Sequence, residues 1–173
     1  MPNYTRQGKV LIPLSEQQFI EAMTEGRFTK LKHRALFVLL YYTGVRITEA
    51  LRARKEQFTI RNDAVYFDVL KRLKHGVHTY PLKINLKLPY SEEIQEAIEN
   101  TKAQKRVFPY CRTTGYLIVR RAIDTYPHHL RLSKITSFLM KYPIPMVKSW
   151  SGLSLKSLNF YVGTVDIEEM GRA

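Results

Sequence analysis

Arginine grips a phosphate with a planar, permanently charged fork of donors. This chain carries arginine in two settings that bring other reactive groups with it. Arg46 sits inside Thr43-Gly44-Val45-Arg46-Ile47-Thr48-Glu49, and Arg131 closes His128-His129-Leu130-Arg131. Such forks match the charge spread over non-bridging phosphate oxygens, and lysine does not substitute for them equally. His128 follows Pro127 at a helix start, where backbone amides also favour a phosphate. Taken singly, Arg46 reads as an intrahelical partner of Glu49, and Arg131 as an exposed helix charge. His128 and His129 each read as a structural or exposed histidine. Tyr161 is one of 11 tyrosines, most of which serve amphipathic packing. Its phenol, with a pKa of about 10, stays a weak nucleophile until cations and a base help to remove its proton.

Composition agrees with a polyanionic partner. The 173 residues carry a formal net charge of +13, and a surface of that sign attracts nucleic acid before most other partners. Basic residues gather at 27–34, 52–55, 71–75 and 102–106, whereas acidic ones concentrate at 91–100 and after Val165. That segregation predicts a charged face rather than a uniform coat of lysine. A membrane surface could use the same charge, but no strongly amphipathic basic helix with an aromatic face supports it, and no membrane partner is expected. The longest apolar run, 35–42, is far too short to span a bilayer. The single Cys111 cannot form an internal disulfide and reads as a free structural thiol. A soluble protein of the reducing cytoplasm is the expectation.

These side chains must be positioned by elements that the apolar spacing outlines. Residues 1–13 read as a loose basic arm, and 14–173 as one domain of 45% apolar composition. Ser15 with Gln18 predicts a capping box opening a helix to about Thr24, which Gly26 ends. Leu31, Ala35, Val38, Leu39 and Tyr42 recur at helical spacing up to a left-handed cap at Gly44. A second helix follows at once, with Ile47, Ala50 and Leu51 inward and Arg46 and Glu49 together on another side. Three β-prone runs, 58–60, 64–67 and 78–82, are separated by the turn-like stretches 61–63 and 74–76 and predict a small antiparallel sheet. Helices follow at 92–101, from a cap at Thr113 or Thr114 to about Asp124, and at 130–140. Pro143 and Pro145 break the last of these. A short helix at 147–150 closes at Gly152, and 154–162 carries Tyr161. The whole is α+β and mainly α.

The order of these motifs resembles the active-site series of the tyrosine recombinase/integrase family, in which an arginine follows a glycine turn in a TGxRxxE pattern, HxxR comes later, and a tyrosine comes last. The resemblance spans nearly the whole chain and implies the family's catalytic fold, a helical bundle with a small three-stranded antiparallel sheet. It also implies DNA cleavage and religation through a 3′-phosphotyrosyl intermediate. In that scheme Arg46 and Arg131 clamp the phosphate, His128 assists proton transfer, and Tyr161 is the nucleophile. Glu49 orients the site. The lysine that protonates the leaving 5′ oxygen comes from the β-hairpin, with Lys74 the first choice and Lys71 the second. Double-stranded DNA, self-association on it, and no metal or nucleotide cofactor are implied too. Two positions depart from the pattern. Leu132 stands where many members carry a second histidine. Gly152 holds the place, nine before Tyr161, of the usual His or Trp, which Trp150 is a candidate to replace. Archaeal viral integrases resemble the chain in these departures. The family's N-terminal DNA-clamping domain has no counterpart before Pro13, so a catalytic domain alone, or a fragment, is expected. Two other readings stay open: a DNA-binding module of the same fold without chemistry, and a relaxing enzyme like type IB topoisomerase.

Overall fold

The computed structural model describes residues 13–25 and 27–162. The basic arm up to residue 12, Gly26 and the acidic tail lie outside the described residues. At Ser15 the reciprocal cap forms as the spacing predicts. The Gln18 amide donates to Ser15 Oγ at 3.1 Å and Gln18 Oε1 accepts the Ser15 amide at 3.0 Å, opening α1 (Glu16–Thr24).

Helix α2 (Leu31–Thr43) is the centre of the core. Its residues Ala35 through Leu40 are all buried, so it is apolar around most of its circumference, as a helix covered on several sides must be. It packs on α4 (Glu92–Glu99) and α6 (Pro127–Lys141), and Phe19 of α1 stacks on its Tyr41 at 3.8 Å. The left-handed cap falls at Gly44, with φ of 61°. Helix α3 (Ile47–Arg52) starts three residues later with Arg46 as its N-cap.

Strands β1 (Phe58–Arg61), β2 (Ala64–Leu73) and β3 (Gly76–Asn85) form one antiparallel sheet in the order β1-β2-β3. Asn62 and Asp63 make the first turn with positive φ of 50° and 55°, the twist that a two-residue hairpin needs. β1 pairs only with 64–67, whereas β2 and β3 pair from Ala64↔Asn85 out to Leu73↔Gly76. The hairpin therefore projects as a two-stranded ribbon. Val65, Phe67 and Val69 are all buried. Strand alternation then turns Lys71 to the same face, toward the body of the protein.

The later helices differ from the sequence expectation mainly at their starts. α5 (Arg112–Ile123) begins with Cys111 at its N-cap, so Thr113 and Thr114 lie inside the first turn. α6 begins at Pro127 rather than Leu130, because proline's fixed φ suits a first helical position. Pro143 and Pro145 do follow the end of α6, and they also open α7 (Ile144–Ser151) by the same preference. α8 (Leu155–Val162) completes eight helices among the described residues. A small second cluster of Ile135, Val147 and Leu158 fastens α6, α7 and α8 together. The mainly helical α+β class is as expected. Among the described residues no helix is long and apolar enough to cross a membrane.

Candidate active site

The sharp link between α2 and α3 turns Arg46 outward. Glu49 holds it there, accepting the Arg46 backbone N–H at 2.9 Å and its guanidinium at 3.2 Å. Arg46 remains 40% exposed while Glu49 is 10% exposed, so the carboxylate is packed and the cation faces outward. The pair with Glu49 and an outward-facing guanidinium are thus one arrangement.

Arg131 is no exposed helix charge. It is 4% exposed, and its fork donates to Gly44 O at 2.8 Å and to Ser151 O at 2.9 Å. Those carbonyls sit at the C-terminal ends of α2 and α7, the negative poles of both helices. One guanidinium therefore joins α6 to two helix ends. His128, in the first turn of α6, lines a cleft of 280 Å³ with Val45, Arg46, Thr48 and Arg131. Burial lowers its pKa, and the nearby charges of Arg131 and Arg46 lower it further. The imidazole is thereby kept neutral and able to accept a proton.

The hairpin sends Lys71, not Lys74, to this place. Lys71 Nζ donates to Gly152 O at 3.0 Å. Its pKa is lowered by burial and by Arg46, with Glu49 opposing and Arg131 adding to the effect. Lys74 stands exposed in the turn at the ribbon's tip. Gly152 closes α7 at φ of 63°, and a Cβ there would overlap the Lys71 ammonium. The departure at position 152 is thus the space that Lys71 occupies. Trp150 packs edge-on against Phe138 at 4.6 Å and lies behind Gly44 rather than in the cleft wall. Leu132 is buried. Tyr161 lies on α8, and its side chain is outside the described residues.

Three further residues belong to this neighbourhood. Arg112 and Tyr116 of α5 also line the cleft, the guanidinium lying 5.5 Å from the ring centroid. Their i,i+4 spacing is the signal for them in the sequence, and a helix capped at Thr113 or Thr114 leaves Arg112 outside it, whereas α5 includes it. Tyr80 on β3 pairs with Val69 and is pushed up to about 12, chiefly by burial and then by the Glu49 carboxylate. No motif marks it.

A family model described as the phage integrase family matches residues 9–141. The chain belongs to the phage integrase family, the tyrosine recombinases. No curated protein compared with it matches. Among solved structures, XerH site-specific recombinase bound to its difH substrate in a pre-cleavage complex aligns with a TM-score of 0.69 at 18% identity, over 98% of this chain and 58% of that one. The Tn1549 transposon integrase in complex with transposon right-end DNA gives 0.63 at 18% identity, over 95% and 66%. XerA recombinase gives 0.66 at 16% identity, over 97% and 64%. The chain thus spans about three-fifths of the XerH recombinase, and at these identities the likeness is one of fold.

Proposed function

We propose that this chain is the catalytic domain of a site-specific DNA recombinase or integrase that cuts and rejoins double-stranded DNA through a 3′-phosphotyrosyl intermediate. The observation that carries the reading is the convergence of Arg46, His128 and Arg131 on one cleft, with Lys71 reaching its edge from the hairpin. The two guanidiniums stabilise the extra negative charge on the non-bridging oxygens as the phosphorus becomes five-coordinate. Tyr161 Oη attacks the phosphorus and its proton passes to neutral His128. The bond from phosphorus to the 5′ oxygen breaks, and the Lys71 ammonium donates the proton that makes a 5′-hydroxyl. Religation reverses each transfer, and the ester energy is kept in the phosphotyrosine throughout. Lys71 takes this role over Lys74 because alternation turns it inward and Gly152 leaves it room. Self-association on DNA belongs to the same proposal, and the XerH recombinase bound to its difH substrate and the Tn1549 integrase in complex with transposon right-end DNA support DNA as the partner.

A module that holds DNA without cutting it is the second reading. It draws on Arg131, whose fork is engaged by two backbone carbonyls. Covalent trapping decides between them. A nicked suicide duplex incubated with the protein should yield an adduct on a denaturing gel, and Tyr161→Phe should abolish the adduct while leaving DNA binding intact. DNA binding with no adduct from the unmutated protein would establish the second reading. An adduct from Tyr161→Phe would move the nucleophile elsewhere.

A further inference from the structure

Lys134 lies on α6 one turn beyond Arg131, where none of the roles above uses it. Its ammonium stands 5.0 Å from the Tyr41 ring, 5.6 Å from Phe138 and 5.9 Å from Tyr42. This is a cage built from the last turn of α2 and the next turn of α6. The stem of the same side chain covers Gly44 so closely that a Cβ at 44 would meet Lys134 Cβ at 2.8 Å. Helix α6 therefore holds the end of α2 by two residues. Arg131 bonds the Gly44 carbonyl, and Lys134 packs over the same glycine. Among the described residues no carboxylate forms an ion pair with Lys134. Lys141 is the like charge nearest to it in effect, while Glu16 acts on Tyr41, and Glu16 and Glu92 act on Tyr42, from beyond the rings.

We propose that Lys134 is a positioning residue for DNA cleavage, its caged ammonium fixing the Gly44 turn that aims Arg46 and orients Arg131. Cation–π attraction and the favourable field at a helix C-terminus both require the charged form. Burial works against that form and pushes Lys134 down to about 8, so the grip is released as pH rises through that value. The inference rests on the proposed strand-cleavage reaction.

Single-turnover cleavage across the neutral to alkaline range tests it, using a suicide substrate whose leaving group is a 5′-phosphorothiolate. That leaving group needs no proton, so titration of Lys71 is removed from the profile. The unmutated protein should lose rate through a limb near pH 8. Lys134→Arg keeps a charge across this range and should abolish the limb. Lys134→Met keeps the stem and loses the charge, and should show no limb, cleaving roughly tenfold more slowly than the unmutated protein below pH 8 and at the same rate well above it, with unchanged DNA affinity, the scale of a partly desolvated cation–π contact. A limb that persists in Lys134→Arg, or full-rate cleavage by Lys134→Met below pH 8, overturns the inference alone. No adduct from the unmutated protein overturns the proposed function and this inference with it.

Discussion

Replacing Gly152 by alanine isolates what Lys71 does. Gly152 ends α7 at φ of 63° and ψ of 21°, a left-handed conformation that costs an L-residue about 1–2 kcal/mol. The new Cβ would overlap the Lys71 ammonium and lie 2.8 Å from its Cε. The lysine must then swing off the carbonyl that it now meets at 3.0 Å. Its head is the free end of a flexible chain, so losing that bond adds about 1 kcal/mol at most. The sum of about 1–3 kcal/mol lies below the 5–15 kcal/mol that holds an ordinary domain together. The variant should stay folded and melt several degrees lower. Cleavage is far more sensitive, because a positioned proton donor contributes about 10²–10⁴-fold. Trapping should fall by about 10²-fold on an ordinary phosphodiester and recover to near the unmutated rate on a 5′-phosphorothiolate. Lys71→Ala should behave the same way, and the double variant should be no worse than either alone. Unchanged cleavage of the ordinary ester by Gly152→Ala would refute the reasoning, as would thiolate rescue confined to Lys74→Ala.

Arg46→Ala and Arg131→Ala should each lower cleavage by at least about 10²-fold, the scale of one preorganised oxyanion donor. Arg131→Ala should also destabilise the fold in urea by about 1–3 kcal/mol, because the Gly44 and Ser151 carbonyls lose their buried donor. The lowered pKa of His128 means that the unfolded chain takes up its proton first as pH falls. Its contribution is therefore present above the ordinary histidine value of about 6.5 and is lost as pH falls from there through the lowered folded value. Urea titrations of the unmutated protein and His128→Gln should diverge less below that value than above it. DNA affinity should fall steeply with salt and depend little on sequence, with a slope of about −0.9 per neutralised phosphate. Fluorescence anisotropy on specific and scrambled duplexes reads both, and a flat salt response would refute the cationic-face argument.

The sequence was most legible where a local rule suffices. The Ser15–Gln18 cap, the apolar run of α2 and the left-handed Gly44 depend on neighbours within one turn, and residue types report such neighbours directly. The pairing of Arg46 with Glu49 was readable for the same reason. The inward face of Lys71 was within reach too, since the alternation of Val65, Phe67 and Val69 continues to it, whereas Lys74 stands in the turn at 74–76. Other features were decided only in three dimensions. Arg131 looks like a surface charge in the sequence because its two carbonyl partners lie 87 and 20 residues away, and only the packing of α6 against the ends of α2 and α7 buries it. Arg112 and Tyr116 join the cleft by the placing of α5. Gly152 reads as a missing histidine or tryptophan until the fold brings Lys71 across 81 residues of chain into the space it leaves. Spacing along a chain sets which side chains share a face. Which faces meet, and so which charges lose water and find a partner, is decided when the core closes.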